Sequence, residues 1–403
     1  MTVLANIGVL ETCAPGAGPV ERAAVAFRGG VVRWAGPEAA LPAEFAGDPR
    51  WDAGGKLVVP GLVDCHTHVV FGGWRADEFD ARLRGATYQE LAARGGGIAS
   101  TVRQTAALDD AALAARARGF LAGMSALGVT TAESKSGYGL ALEAELRLLG
   151  VMRGLAADAP VRLAPTLLAH VMPVEERAPD RRAAYVGRFA DELVPRVARE
   201  GLATACDVYV DDGAFSADEA RRILSAARAA GLLAKLHGDQ HRDGGGAALA
   251  AELAAASVDH LEHAGEAGIA ALARSGTVAV TLPIAALHLR SPFAPARRLL
   301  DAGVPVAVAT DFNPGTAPSY HLPLAMMLAC TAQRMTPAEA LAGATIVAAR
   351  ALGLDRTLGS LEPGKLADLA VLDAPSVAHW LYHFRPNDCA LTVKGGEVVW
   401  RAP

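Results

Sequence analysis

Between about residues 61 and 358, short apolar runs of strand character alternate with longer segments whose apolar positions recur at helical spacing. This alternation predicts βα units around a parallel sheet. Eight runs are counted: Leu62–His68, Thr130–Lys135, Val161–His170, Ala205–Val210, Ala234–His237, Val258–Leu261, Thr277–Leu282 and Pro305–Thr310. The Ala- and Leu-rich segments Ala111–Leu127, Glu143–Leu155, Arg181–Glu200, Ala217–Ala230, Ala247–Ala256, Glu266–Ser275 and Pro337–Leu352 read as helices. Eight repeats predict the α/β class and a closed (β/α)8 TIM barrel rather than an open sheet. The long stretch from Arg75 to Gly128 predicts an enlarged loop-and-helix insertion over the barrel mouth.

The two ends have a different texture. Val3–Leu10, Ala23–Arg28 and Val31–Ala35 are strand-like and separated by Gly and Pro, and "LADLAVLD" and "ALTVKGGEVVW" repeat the pattern near the C-terminus, the second with a Gly-Gly turn. Neither end supplies enough strands for a stable sheet. They are expected to pair in one small β-sandwich, residues 1–60 with 359–403, beside a barrel of residues 61–358.

The barrel reading locates the chemistry, because catalytic groups gather at the C-terminal ends of barrel strands. In "GLVDCHTHVVFGGWRADEF" (Gly61 to Phe79), His66 and His68 are two apart and share a strand face. His237 ends the fifth run, His260 lies near the end of the sixth, and Asp311 ends the eighth. Imidazoles 66, 68 and 237 with the Asp311 carboxylate make a ligand set for one divalent ion of zinc or iron type, leaving room for water, whose pKa such an ion lowers to about 7. Binuclear barrel hydrolases usually need a bridging lysine on the fourth strand. Here that strand reads "ACDVYVDDG" and Lys135 sits on the second, so a single metal is expected, with His260 in a hydrogen-bonding or proton-transfer role.

Composition narrows the partners. The net charge is -5 and the pI about 6.1, so neither nucleic acid nor an anionic membrane surface is favoured, and a small-molecule substrate is. The sequence has no apolar run of 18 residues and its start lacks signal-peptide character, which predicts a cytoplasmic protein. Five scattered cysteines without a CxxC pair speak against a disulfide framework or a thiolate cluster.

"PGLVDCHTH", His237 and Asp311 resemble the amidohydrolase superfamily, whose members join a (β/α)8 barrel to a sandwich built from both chain ends. "FGGWRADEF", "RGATYQELAARGGGIASTVRQT", "SKSGYGL", "LEHAGEAGIAALARSGTVAVTLP" and "ATDFNPGT" resemble its imidazolonepropionase branch, and the similarity covers nearly all of the chain beyond residue 56. The resemblance implies hydrolytic opening of 4-imidazolone-5-propanoate to N-formimidoyl-L-glutamate in histidine degradation, and a homodimer. It places Arg75 on the substrate carboxylate, which a guanidinium grips through two parallel donors. Tyr88, Tyr138 and His170 are expected to line the ring, and Asn313 to bind a ring polar atom. Asp311 would orient the water and take its proton, and His260 would stabilise the oxyanion.

One departure stands out. The family carries a Glu two or three residues after the strand-five His as proton shuttle, whereas this chain has Asp239 and Gln240 in "HGDQ". Asp239 is the only titratable candidate there, retracted by one C–C bond, about 1.5 Å. A rival reading is a mononuclear aminohydrolase that deaminates a nucleobase-like heterocycle. A non-enzymatic barrel would leave the metal set unexplained.

Overall fold

In a computed structural model, which describes residues 2–86, 90 and 95–403, the eight runs form one parallel sheet in sequential order. Its strands are Leu62–Asp64, Val129–Lys135, Arg162–Ala169, Ala205–Tyr209, Leu233–Gly238, Ser257–His260, Val278–Thr281 and Val306–Val308, barrel strands one to eight. Strands such as "VAVT" and "VAV" are buried throughout, as parallel strands enclosed on both faces must be. The circle closes just past strands one and eight: Thr67 bridges Phe312, and the His68 amide donates to the Phe312 carbonyl at 2.8 Å. At the same seam the Asp64 carboxylate accepts from the Thr310 amide at 3.1 Å and its hydroxyl at 2.6 Å.

Two predicted helices are interrupted, each for a local reason. Arg181–Glu200 becomes Pro179–Arg188 and Val194–Arg199 joined by a wide turn over Phe189–Leu193, because Pro195 has no N–H to continue the ladder. Pro337–Leu352 becomes Pro337–Gly343 and Ile346–Ala351. Between them the Ala344 carbonyl accepts from the Val63 amide of barrel strand one at 2.8 Å. Helices Pro283–Leu289, Ala296–Asp301, Leu322–Gln333 and Val377–Tyr382 complete the layer and were not evident from periodicity. No helix among the described residues is long and apolar enough to cross a membrane.

The chain ends share a second, mixed sheet. Its joint pairs Leu57–Pro60 with Leu369–Leu372 antiparallel, so N-terminal and C-terminal strands lie side by side. The sheet curls until Val31 bridges Leu366, enclosing a core that includes Leu4, Ile7, Val25, Phe27, Leu369 and Val393.

A barrel interior is ordinarily filled by branched aliphatic side chains. Here Glu133 and Lys135 of strand two, Asp207 of strand four, Lys235 of strand five and Asp259 of strand six all lie inside, each with no solvent exposure. Their position directly beneath the mouth shapes the site above them.

Candidate active site

Four histidines meet at the barrel mouth. His66 and His68 lie just past the end of strand one, His66 in a bend, His237 lies near the end of strand five, and His260 is the last residue of strand six. Ring centroids of His66 and His237 are 4.6 Å apart, of His66 and His68 5.5 Å, and of His237 and His260 5.4 Å. Asp259 and His260 are neighbours in a strand and would ordinarily point to opposite faces. A left-handed backbone at His260 (φ 83°) and Leu261 (φ 68°) accompanies the turn of the His260 ring toward the other three. Asp311, also left-handed (φ 55°), brings its Oδ1 to 3.3 Å from His66 Nε2 and 3.6 Å from His68 Nε2.

The donor chemistry fits a divalent ion. The ligand nitrogens of His66, His68 and His237 lie within 4.8 Å of one another. His66 Nδ1 is bound to Asp259 Oδ2 at 2.7 Å, and His237 Nδ1 to Asp207 Oδ1 at 2.9 Å. A carboxylate there fixes the proton on Nδ1 and leaves Nε2 with its lone pair facing the cluster, the arrangement that prepares an imidazole for a metal. Among the described residues His66 Nε2 is buried with no hydrogen-bond partner, while the Asp311 carboxylate stands beside it. Two electron-pair donors in such contact call for a cation. Burial works against the charged form of Asp311, but the imidazoles of His66 and His68 beside it outweigh that and hold the carboxyl well below the usual range.

Around this cluster stand the residues expected to meet a substrate. The Tyr138 ring lies 5.6 Å from His68 and 5.8 Å from His170, and burial pushes its phenol up, so it is a neutral hydroxyl. Gly137 (φ 97°) shapes the tight loop that delivers it. His170 stacks on His68 at 6.1 Å, with Nδ1 3.2 Å from the Gly137 carbonyl. Burial first, then the neighbouring His68 and His237, push it down to about 3, which keeps it neutral. The Arg75 guanidinium lies flat on Gly315, where an added Cβ would come 1.5 Å from Nη2. Its Nε is buried without a hydrogen-bond partner among the described residues.

Residues 57–399 match the amidohydrolase family. The chain belongs to that family. It is 52% identical over 355 residues to the imidazolonepropionase of Deinococcus radiodurans, covering 88% of this chain and 86% of that protein. Against the imidazolonepropionase of Anaeromyxobacter dehalogenans it is 48% identical over 416 residues, covering 100% and 97%. Among solved structures, an adenosine deaminase from Xanthomonas campestris with bound zinc superposes with a TM-score of 0.73 at 19% identity, over 98% of this chain and 92% of that one. At that identity the likeness speaks for the fold alone.

The amidohydrolase site differs from the sequence expectation at two residues. Asp239 does not turn toward the histidines. Its Oδ1 accepts from the Gly244 and Gly246 amides at 2.9 and 2.8 Å and its Oδ2 from the Ala247 amide at 2.8 Å, so this geometry gives it the work of tying down a loop and a helix start, in place of the proton shuttle. Asn313 is likewise spent on its own turn: Oδ1 accepts from the Gly315 and Thr316 amides, both at 2.8 Å, and Nδ2 donates to the Asp311 carbonyl at 2.7 Å. Tyr88 lies outside the described residues.

The sequence reading missed the carboxylates behind the ligands, Asp207 and Asp259, together with Glu262, whose Oε1 is 3.3 Å from His260 Nδ1. Burial opposes the imidazolium of His260, but this carboxylate outweighs it and the pKa is raised. The available signal was spacing. "AESK" puts an acid two positions from a lysine, "KLH" a lysine two positions before a strand-end histidine and "VDH" an acid next to one, and "CDVY" carries a lone acid inside an otherwise apolar strand.

Proposed function

We propose that this amidohydrolase adds water across the cyclic C–N bond of 4-imidazolone-5-propanoate, releasing N-formimidoyl-L-glutamate in histidine degradation. The observation that carries the reading is the meeting of His66, His68, His237 and Asp311 at the mouth where Arg75 is seated. The imidazolonepropionase relatives, matched over nearly their full length, support the same chemistry. His66, His68, His237 and Asp311 would hold one divalent ion of zinc or iron type, which when bound supplies Lewis acidity and a water acidic enough to ionise near neutral pH.

The chain's own residues do the rest. Arg75 pairs with the propionate carboxylate through its planar fork, fixing which ring edge reaches the histidines. Tyr138 and His170, both neutral, wall the ring on one side. Asp311 takes the proton of the attacking water and carries it to the departing ring nitrogen as the C–N bond breaks. His260, held by Glu262 at Nδ1, turns its other nitrogen toward the oxyanion that develops on the ring carbonyl. A location in the cytoplasm and assembly as a homodimer belong to the same reading, the second resting on the family resemblance.

Purified chain incubated with freshly generated imidazolonepropionate is expected to abolish the imidazolone absorbance and yield N-formimidoyl-L-glutamate. A chelator is expected to stop the reaction and added zinc or ferrous ion to restore it. Persistence of the imidazolone signal with metal present would sink the proposal, and ammonia release from nucleobases would favour the aminohydrolase alternative.

A further inference from the structure

Only five lysines occur in the chain, yet Lys135 and Lys235 are both fully buried inside the barrel. Taking an ammonium out of water costs several kcal/mol unless partners compensate. Lys135 has a complete set. Its Nζ donates to Asp207 Oδ2 at 2.6 Å and is ion-paired with Glu133 Oε2 at 2.9 Å and Asp259 Oδ2 at 3.2 Å, so one ammonium faces three carboxylates from three strands. Lys235 balances the far side, with Nζ 2.8 Å from Glu133 Oε1 and 3.3 Å from the Cys65 carbonyl.

Two of those carboxylates are the ones that orient the ligand histidines. Asp207 gives one oxygen to Lys135 and the other to His237 Nδ1. Asp259 places Oδ2 against both Lys135 and His66 Nδ1, while Ser257 donates to Oδ1 at 2.7 Å. Each is therefore held from two directions, and the imidazoles inherit that alignment. The same atoms fall into two further sets compact enough to hold an ion, His66 with Glu133 and Asp259, and Asp207 with His237 and Asp259. Lys135 reaches the carboxylates of both sets. A second metal ion there would face a fixed positive charge.

We propose that Lys135 is the positioning residue of the metal centre: its ammonium stands in place of a second cation, locking Asp207 and Asp259 so that they aim His237 and His66, and limiting the site to one ion. The inference rests on the proposed metal site but not on the identity of the substrate.

The test compares wild type, Lys135→Met and the double variant Glu133→Gln/Lys135→Met. The double variant removes one charge of each sign and so keeps the interior charge unchanged should the single variant fail to fold. Metal-depleted full-length protein is titrated with Zn2+ against a chromophoric chelator, and Co2+ is loaded for its visible spectrum. Wild type is expected to take up one equivalent. The variants are expected to bind the first ion about 10- to 100-fold more weakly, the range typical when a partner behind a metal ligand is lost, with a shifted Co2+ spectrum. A second equivalent bound by the variants would equally support the proposal. Lys135 would be merely structural if the variants unfold at a lower temperature but bind one ion within threefold of wild-type affinity with an unchanged Co2+ spectrum, and that result overturns the inference. Two equivalents in wild type would also overturn it. A wild type that binds one ion but leaves imidazolonepropionate intact would defeat the substrate assignment and leave the role of Lys135 standing.

Discussion

At Asp239 a single carboxylate takes three backbone amides and ties the end of barrel strand five to the start of helix Gly246–Glu252. The residue itself has a left-handed backbone (φ 53°) and is almost fully buried, so its side chain has little freedom to swing toward the histidines. Asp239→Asn keeps the shape but turns one acceptor oxygen into an NH2 group facing an amide N–H. A buried donor left unsatisfied costs about 1–3 kcal/mol. The variant is therefore expected to unfold at lower denaturant concentration, keep its full metal content and retain kcat within about tenfold of wild type. A collapse of kcat at unchanged stability would instead return Asp239 to proton transfer. Gly315 is equally specific at this scale. In Gly315→Ala the new methyl displaces the Arg75 guanidinium, a flexible side chain, from its seat, so KM for the propionate substrate should rise at least tenfold while the melting temperature stays near wild type.

Among the elements, the loop after barrel strand two shows how a helix residue can tune a binding wall. Glu145, in helix Leu142–Leu155, reaches back to accept from the Gly137 amide at 2.7 Å, the Gly139 amide at 2.8 Å and the Leu140 amide at 2.6 Å, while Tyr185 donates its hydroxyl to the Leu140 carbonyl at 2.7 Å. Tyr138 sits in the middle of this clamp. Glu145→Gln aims an NH2 at an amide donor, so the loop should loosen and KM rise more than kcat falls in steady-state kinetics. Burial raises the Glu145 carboxyl above its ordinary value of 4.5, against the pull of its hydrogen bonds. The folded chain then binds that proton more tightly than the unfolded chain. Its contribution favours folding most below pH 4.5 and declines as pH rises through the folded pKa, and denaturant curves of the Gln variant should lack that decline. The barrel strands were legible as elements because short apolar runs bounded by Gly, Pro and polar residues carry their own signal. The break in Pro337–Leu352 was not, since it depends on a hydrogen bond from Val63, far away in sequence. Asp207, Asp259 and Glu133 escaped for the same reason. An acid inside an apolar strand has meaning only once its partner histidine or lysine is known, and His66 lies 193 positions from Asp259.

For the whole molecule, closure of the barrel is what gathers the candidate ligands of strands one, five and eight onto one point, and the seam between strands eight and one is also where His66, His68 and Asp311 meet. The Asp311 amide donates to the His66 carbonyl at 3.0 Å, so the backbone that completes the circle is the backbone that carries these candidate ligands. An ion bound there cross-links the first and last barrel strands, whose contact is otherwise the closing step of a long chain. Binding confined to the folded state stabilises it by RT ln(1 + [L]/Kd), about 4 kcal/mol at a thousandfold excess over Kd. Metal removal is therefore expected to lower the melting temperature and to raise hydrogen exchange first at the seam, in residues 62–68 and 306–312, with the outer helices and the terminal sheet much less affected. Because imidazoles ligate only when neutral, a chelator should strip the ion more readily at pH 6 than at pH 8. Uniform loss of protection across the barrel on metal removal, or none, would show that closure does not depend on the ligand cluster.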